Sequence, residues 1–373
     1  MINCEVSRQV VYAPSGISMA AFGARKPWQG SIAGNAKICY LVFSVAFLLA
    51  ACGTFDRSPS GQRGDGTFTG QGGAYGATPA EWLRLPDAPT ARTEVGAVFL
   101  DGSIYVAGGI AKAGGGGRVL STFEVFDISS STWRRLPDLP EPRHHAAVAA
   151  LDKTVYVVGG FSDMAFTADS KVFAFNVESG RWRLAAPLPE PLGAGGAAAL
   201  DGKIYFVGGV DVSGKTSSRL YVFDGNSWRR LRDMPTPREH LAVAATSSFL
   251  YAIGGRHPIT AAAERYDPDE DSWESLPPKP TPRGGVAGAG VGGRFACVAG
   301  GEDETRTYPD AECFDESAGR WMSLPPMNVA RHGIGAAGTE KNFYTIAGGD
   351  KPGLAETAAL ESFTVNEMPL GNG

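Results

Sequence analysis

Several signatures of chemistry are missing from this chain. Its five cysteines and five histidines show no spacing that resembles a zinc site. It contains no Gly-x-Ser-x-Gly elbow, and the glycine run Gly114–Gly117 lacks the strand and helix that flank a phosphate cradle. We therefore predict no metal site, no cofactor and no serine nucleophile.

A basic surface pattern is also missing. The formal net charge is −5, and because residues 1–51 carry a net +3, the remainder of the chain carries −8. Neutralisation of phosphates by Lys and Arg supplies most of the affinity of nucleic-acid-binding proteins. An acidic chain without a basic stripe is therefore not expected to bind nucleic acid.

One long apolar run is present, Ile38–Ala51, and it is too short for an ordinary transmembrane helix. It follows three basic residues and closes with Leu-Ala-Ala before Cys52, which resembles the lipobox of bacterial lipoprotein signal peptides. The resemblance implies that residues 1–51 are removed and that Cys52 carries lipid. A signal anchor, or a signal cut elsewhere, is the alternative. Either Met1 or Met19 could be the start.

The segments around the central part of the chain have simple compositions. Residues 52–78 are rich in Gly, Ser and Thr, which predicts a flexible tether. Residues 369–373 form a short C-terminal tail. Gly53 follows the lipobox cysteine, and in lipoproteins of Gram-negative bacteria this implies the outer membrane. We therefore expect an extracytoplasmic, lipid-anchored protein of the cell envelope.

Residues 79–368 contain a sixfold repeat with a period of 45 to 51 residues, which is the period of a β-propeller. A Gly-Gly pair follows each tryptophan by 26 or 27 residues, and an arginine follows five of the six by ten. The tryptophans are Trp82, Trp133, Trp182, Trp228, Trp273 and Trp321, and the arginines are Arg92, Arg143, Arg238, Arg283 and Arg331.

Each unit reads as four short strands separated by turn signals. In the first unit they are Gly96–Gly102, Ile104–Gly109, Phe123–Asp127 and Thr132–Leu136. The pattern resembles the kelch repeat, which implies an all-β, six-bladed β-propeller. The sixth unit lacks its fourth strand, and Glu81–Leu85 is a fourth strand without a unit. We therefore predict that this N-terminal strand completes the last blade, closing the ring.

The tryptophans and arginines have a structural interpretation. An indole on the fourth strand offers a large apolar plate for packing blade against blade. The arginines are expected to form blade-linking ion pairs with glutamates of the third strands, Glu124, Glu264, Glu312 and Glu361. Pairing within one blade and pairing with the preceding blade fit the sequence equally well.

The repeats differ most in the loop between strands two and three, where insertions often mark a binding face. In kelch propellers this face also carries the links between blades. Four of the five histidines lie within the two positions after a repeat arginine, and the fifth lies in such a loop. The candidate binding residues are Glu94, His144, His145, Glu239, His240, Arg256, His257 and His332. For each histidine, a structural hydrogen-bond network is the alternative to ligand binding.

Two cysteines remain in the repeats, Cys297 and Cys313, on neighbouring strands of the fifth unit. They form either a disulfide or a pair of small buried residues, and the second interpretation is favoured because cross-strand bonding needs matching register.

Three functions are compatible with this sequence. The leading hypothesis is a monomeric binding module for a protein or a glycan. The alternative is a carbohydrate-active enzyme similar to the periplasmic kelch sialic acid epimerases, with acid–base chemistry in a central pocket. The third is a structural part of an envelope complex. Fold alone does not decide between them.

Overall fold

The computed structural model describes residues 81–365, and its regular structure there consists of β-strands. Six four-stranded antiparallel sheets and one small hairpin are present. The innermost strand of each sheet contacts the innermost strands of both neighbours in a closed cycle. The predicted all-β, six-bladed propeller is confirmed. The predicted signal peptide, Cys52, tether and C-terminal tail lie outside the described residues.

The first three blades follow the N-terminal strand β1 (Leu83–Leu85). Blade one comprises β2 (Gly96–Leu100), β3 (Ser103–Ala107), the hairpin β4 (Ile110–Ala113) and β5 (Gly116–Val119), then β6 (Phe123–Asp127) and β7 (Thr132–Arg135). Blade two comprises β8 (Ala147–Leu151), β9 (Thr154–Val158), β10 (Val172–Asn176) and β11 (Arg181–Ala185). Blade three comprises β12 (Gly196–Leu200), β13 (Lys203–Val207), β14 (Leu220–Phe223) and β15 (Trp228–Arg230).

The last three blades repeat the pattern. Blade four comprises β16 (Ala242–Ala245), β17 (Leu250–Ile253), β18 (Ala263–Asp267) and β19 (Ser272–Ser275). Blade five comprises β20 (Ala287–Val291), β21 (Phe295–Ala299), β22 (Ala311–Asp315) and β23 (Arg320–Ser323). Blade six contains β24 (Gly335–Gly338), β25 (Asn342–Ile346) and β26 (Leu360–Thr364). Within residues 81–365, no helix is long and apolar enough to cross a membrane.

Strand β1 completes blade six, as the sequence predicts. It pairs antiparallel with β26, giving the sheet order β1-β26-β25-β24. Trp82, only 5% exposed, packs against Phe343 and Phe363 of the same blade. The two ends of the propeller are therefore held together by both strand pairing and an aromatic cluster.

The six tryptophans share one hydrogen bond. Each indole N–H donates to the backbone carbonyl four residues after the preceding tryptophan, in the link that enters its own blade. The acceptors for Trp82, Trp133, Trp182, Trp228, Trp273 and Trp321 are the carbonyls of Pro325, Pro86, Pro137, Ala186, Arg232 and Pro277. Each indole thus fixes the path of a link as well as packing in the core.

The Gly-Gly pairs allow each blade to touch the next link. A Cβ on Gly108, whose φ is +63°, would lie 2.2 Å from the carbonyl oxygen of Arg143. The amide of Gly109 donates to that same carbonyl at 2.8 Å. In blade six the corresponding amide is that of Gly348, so the equivalent pair is Ala347–Gly348, one residue earlier than the sequence predicts.

The repeat arginines bind carboxylates of the blade that their link enters. The bonded pairs are Arg92 with Glu124, Arg143 with Asp169, Arg238 with Glu264, Arg283 with Glu312, and Arg331 with Glu361. The partner blade that the sequence left open is therefore the arginine's own. These ion pairs join a link to its blade rather than one blade to another. The carboxylate comes from the third strand in four blades and, in blade two, from Asp169 in the loop before that strand.

The structure also changes the interpretation of the cysteine pair and of the glycine run. Cys297 and Cys313 form a disulfide, not merely a buried pair, because strands β21 and β22 place them directly opposite one another. The glycine run Gly114–Gly117 forms the tip and second strand of the β4–β5 hairpin. Gly114 and Gly115 make the turn with positive φ angles.

Candidate functional site

A closed ring of backbone hydrogen bonds surrounds one end of the central channel. The second residue after each repeat arginine position has a positive φ and donates its amide to the carbonyl of its counterpart in the preceding blade. The six bonds run from 2.7 to 3.1 Å. The ring consists of Glu94, His145, Ala194, His240, Gly285 and Gly333.

The residue before each ring member forms a β-bridge with the start of a strand-two-to-three loop. Two of these bridges join Glu239 to Arg256 and Gly284 to Glu302. His144 and His332 form the same bridge with Phe161 and Gly349. The fold therefore brings the side chains of the links and the loops to one end of the channel.

A contiguous polar network fills this end. Glu94 Oε2 lies 3.0 Å from His145 Nε2, and Glu239 Oε2 is in contact with His240 Nδ1. Arg256 donates from Nε to Glu239 at 3.0 Å, from Nη1 to Glu302 at 2.9 Å and from Nη2 to His240 Nε2 at 2.9 Å. One guanidinium thus connects three side chains from two blades.

The other three candidate histidines occupy different positions around this network. His144 is buried, contacts His145 through the two Nδ1 atoms and packs edge-on against Phe166. His332 is buried with its Nδ1 3.4 Å from Glu94 and from Glu302. His257 is 73% exposed at the edge, 3.6 Å from Glu239.

Burial divides the eight candidates into two groups. Six are largely enclosed, whereas Arg256 keeps 24% of its side chain exposed and His257 keeps 73%. Among the eight candidates, only these two side chains are substantially exposed to solvent. A large partner at this face would therefore contact Arg256 and His257 directly, with the other six held behind them.

The network changes the acid–base properties of its histidines. Burial lowers the pKa of His145 well below the ordinary histidine value, and it lowers the pKa of His144 as well. Burial also opposes a charge on His332, yet the adjacent carboxylates of Glu94 and Glu302 raise its pKa above the ordinary value. The histidines of this network thus differ in pKa because their neighbours differ.

The structure also gathers possible metal ligands, which the sequence analysis did not predict. One ligand atom each from Glu94, His145 and His240 lies within 4.8 Å of the others. The three residues come from three different blades, so no local sequence motif predicts them as ligands. A carboxylate with two imidazoles is a donor set that suits zinc and related ions.

Glu302 is a site residue that the sequence analysis did not name among its candidates. Its side chain accepts from Arg256 and approaches His332. A signal for it was present, because Arg256 and Glu302 both directly follow the second glycine of a Gly-Gly pair. Comparing that register across the six units would have shown three charged residues, Arg256, Glu302 and Asp350, where the other three units have Ile110, Phe161 and Val210.

The loop face carries most of the exposed large apolar side chains. Within residues 81–365, six such side chains are exposed, and four of them lie in strand-two-to-three loops: Phe166, Val212, Ile259 and Leu354. The other two, Leu83 and Leu184, lie on outer strands. The four loop residues belong to four different blades, so they are distributed around the polar network.

The channel itself is narrow. Below the ring it is lined by small residues such as Gly96, Ala147 and Gly196, and its cavity measures about 110 Å³. A second cavity of about 450 Å³ opens at the opposite end, where Thr246 and Ser247 lie in the turn between β16 and β17 and Asn342 begins β25. The polar candidates therefore belong to a shallow face rather than to a deep pocket.

Comparisons with known proteins agree with the repeat pattern. A family described as "KLHDC2/KLHL20/DRC7 Kelch-repeats domain" matches residues 144–349, more than half of the chain, and the Kelch motif matches residues 91–140. The solved structure of YjhT superposes with a TM-score of 0.64 at 16% identity, covering 76% of this chain and 97% of that one. At this identity the likeness shows the fold alone.

Curated relatives match in parts. Kelch-like protein 40a of Danio rerio is 44% identical over 176 residues, 47% of this chain and 29% of that protein. Beta-scruin of Limulus polyphemus is 28% identical over 177 residues, 47% of this chain and 14% of that protein. The chain spans less than a third of the length of either relative. With six tryptophan-centred blades and the family match, the chain belongs to the kelch-repeat family.

Proposed function

We propose that this chain is a protein-binding propeller whose loop face is the recognition surface. The observation that carries this proposal is the position of Phe166, Val212, Ile259 and Leu354, four exposed apolar side chains on four loops of one face. Exposed apolar groups near a polar, partly charged centre are typical of protein interaction sites. The name Kelch-like protein is shared by several relatives, which supports a family-level comparison but names no partner.

At the loop face, the dimensions of the channel favour a protein over an enclosed sugar. Sites that enclose small molecules usually measure roughly 300–1,000 Å³, and the cavity beside the polar network measures about 110 Å³. Two titratable candidates beside that cavity, Glu94 and His145, are also in direct contact with each other, with Oε2 and Nε2 3.0 Å apart. The carbohydrate-active alternative therefore has less support than recognition across the loop face.

Photo-crosslinking tests the recognition surface in cells. A photoreactive amino acid is placed at Phe166, Val212 or Leu354 and, as a matched control, at Leu83 or Leu184, which are equally apolar and exposed but lie on outer strands. We expect discrete protein adducts from the loop positions and none from the outer strands. The adduct is then identified, and its affinity for purified Val212→Ser and Leu184→Ser variants is measured.

Other outcomes would redirect the proposal. Adducts from the outer strands alone would contradict a loop-face site. Retention of the protein on a glycan array without any protein adduct would favour the glycan-binding alternative. Conversion of a sugar anomer or epimer by purified protein, lost in Glu94→Gln, would establish the enzyme alternative.

We also propose that the propeller is held at a bacterial membrane by lipid on Cys52. The support is the lipobox-like sequence that ends at Cys52, with the basic residues before it. Fatty-acid labelling of the wild type and of Cys52→Ala, with the mass of the mature protein, tests this. Label retained by Cys52→Ala, or a mature protein that still contains residues 1–51, would disprove it.

A further inference from the structure

The hydrogen bonds around His145 determine which of its ring nitrogens carries the proton. His144 Nε2 lies 2.9 Å from the carbonyl oxygen of Asp163, and because a carbonyl only accepts, this nitrogen donates. In a neutral His144 ring, Nδ1 is then a lone pair, and it accepts from His145 Nδ1 at 2.6 Å. A neutral His145 therefore presents an unprotonated Nε2 to Glu94.

This leaves two lone pairs facing each other. His145 Nε2 lies 3.0 Å from Glu94 Oε2, with side chains only 5% and 11% exposed. Such a contact is unfavourable unless a proton or a metal ion lies between the two atoms. Two ligand atoms bound at about 2.0–2.1 Å to one zinc ion would themselves be separated by roughly 3 Å.

His240 presents a second imidazole in the same state. Its Nδ1 donates to Glu239, which leaves Nε2 as a lone pair that accepts from Arg256 Nη2 at 2.9 Å. A carboxylate that holds the far nitrogen of a histidine is the usual partner of a metal-binding imidazole, because it fixes both tautomer and orientation. The ligand atoms of Glu94, His145 and His240 lie within 4.8 Å of one another.

The charge of the surroundings distinguishes a metal ion from a proton. Three enclosed carboxylates lie in this network, and the single guanidinium of Arg256 binds two of them, Glu239 and Glu302, whereas Glu94 contacts the rings of His145 and His332. Beside them, neither ring nitrogen of the buried His332 meets hydrogen-bond geometry with any group in residues 81–365. One proton would relieve a single lone-pair contact, whereas a dication would satisfy all three ligands and offset the excess negative charge.

We propose that Glu94, His145 and His240 form a binding site for a divalent transition-metal ion of the zinc class, at the ring end of the channel. Three protein ligands would leave a coordination position open. Binding would displace the Arg256 hydrogen bond to His240, and Arg256 would keep its carboxylate partners Glu239 and Glu302. Because the side chain of Arg256 is partly exposed, it has room to move.

Metal titration of the full chain tests this proposal. After chelation and removal of the chelator, ZnCl₂ is added in a calorimeter and CoCl₂ in an absorption spectrometer. We expect one equivalent of zinc to bind, and cobalt to give the visible bands of a low-coordinate site. Glu94→Gln, His145→Ala and His240→Ala should each weaken binding by about 100-fold or more. His257→Ala, an exposed histidine outside the ligand set, should bind as the wild type does.

A second variant keeps the test decisive if a ligand variant fails to fold, which thermal melting will show. Arg256→Met removes the competing donor and a positive charge, so zinc should bind at least about tenfold more tightly than in the wild type. The absence of wild-type binding at millimolar zinc, equal binding by His145→Ala and His257→Ala, or unchanged affinity in Arg256→Met would each overturn the proposal.

Discussion

Lys279 occupies a residue position that the other five blades fill with an apolar side chain. The equivalents, six residues after each tryptophan, are Ala88, Leu139, Leu188, Met234 and Met327, and all are buried. Lys279 is only 2% exposed and donates its ammonium to the carbonyl of Thr281. Burial, together with the nearby Arg283 guanidinium, lowers the pKa of Lys279 to about 7. The side chain therefore reduces stability at neutral pH.

The sign of the pH effect follows from that depressed pKa. Between about pH 7 and pH 10.5 the unfolded chain holds a proton that the folded chain releases, so stability rises with pH. We expect Lys279→Met to be more stable than the wild type at pH 7, by on the order of 4 kcal/mol. That difference should shrink as the pH approaches 10. Urea unfolding at several pH values measures it, and a constant difference would contradict the expected ionisation.

The buried Arg331–Glu361 pair gives a second prediction at the residue scale. Both side chains are fully buried, and Arg331 also donates to the carbonyls of Ala347 and Ala359. Glu361→Leu would leave a buried guanidinium without its carboxylate, which should lower the free energy of unfolding by about 3–5 kcal/mol. The double variant Arg331→Met/Glu361→Leu should lose less.

An exposed ion pair supplies the control for that prediction. Arg135 and Asp138 are 2.8 Å apart with both side chains about half exposed. Asp138→Ala should change stability by less than about 1 kcal/mol, because solvent screens the pair. A double variant as unstable as Glu361→Leu alone would show that the cost comes from lost packing rather than from an unpaired charge.

At the scale of one element, strand β1 is expected to contribute more to the stability of the propeller than its short length suggests. It is three residues long, yet Trp82 beside it is buried and donates to the Pro325 carbonyl at 2.7 Å. We expect Trp82→Ala to cost about 3–5 kcal/mol. Leu83→Ala, in the same segment but 60% exposed, should cost little. Thermal melting of the two variants tests this.

Truncation tests the same element without a substitution. A chain that starts at Arg92 loses β1, whereas a chain that lacks residues 53–77 keeps it. Only the first should melt at a lower temperature, because only the first exposes the edge of β26. Equal melting temperatures for the two chains would rule out a closing role for β1.

The disulfide stabilises blade five. Cys297 and Cys313 are separated by 16 residues and lie in the core between blades five and six. Closing a loop of this length restricts the unfolded chain by about 3 kcal/mol, so Cys297→Ala/Cys313→Ala should be less stable by a similar amount. Alkylation in denaturant without reductant should modify neither cysteine. Two modified thiols in protein from an oxidising compartment would contradict the bond.

At the scale of the whole molecule, the features that the sequence predicts are those that recur from blade to blade. Tryptophan, arginine and Gly-Gly recur because each makes the same contact in nearly every blade, as the six indole bonds show. Blade number and the closing strand follow from these repeats. The partner of each arginine does not follow, because only four of the six third strands present a glutamate and pairing within a blade or with the preceding blade each leaves one arginine unmatched.

The candidate site is less predictable because it is where the blades differ. Glu94, His145 and His240 are distant in sequence, and only the closed ring brings them within reach of one another. Glu302 occupies a position that three other blades fill with the apolar residues Ile110, Phe161 and Val210. The disulfide depends on the pairing of β21 with β22, which sequence spacing alone does not determine.

The ring of six backbone hydrogen bonds has no first member. Each of the six ring residues, from Glu94 to Gly333, donates to the ring residue of the preceding blade and accepts from that of the following blade. Strands β1 and β26 bring the two ends of the propeller into one sheet. The closed ring therefore does not require the polypeptide to begin in any particular blade. A circular permutant of residues 81–365 that joins Val365 to Glu81 by a short linker and opens the chain in the link between blades three and four should adopt the same six-bladed fold.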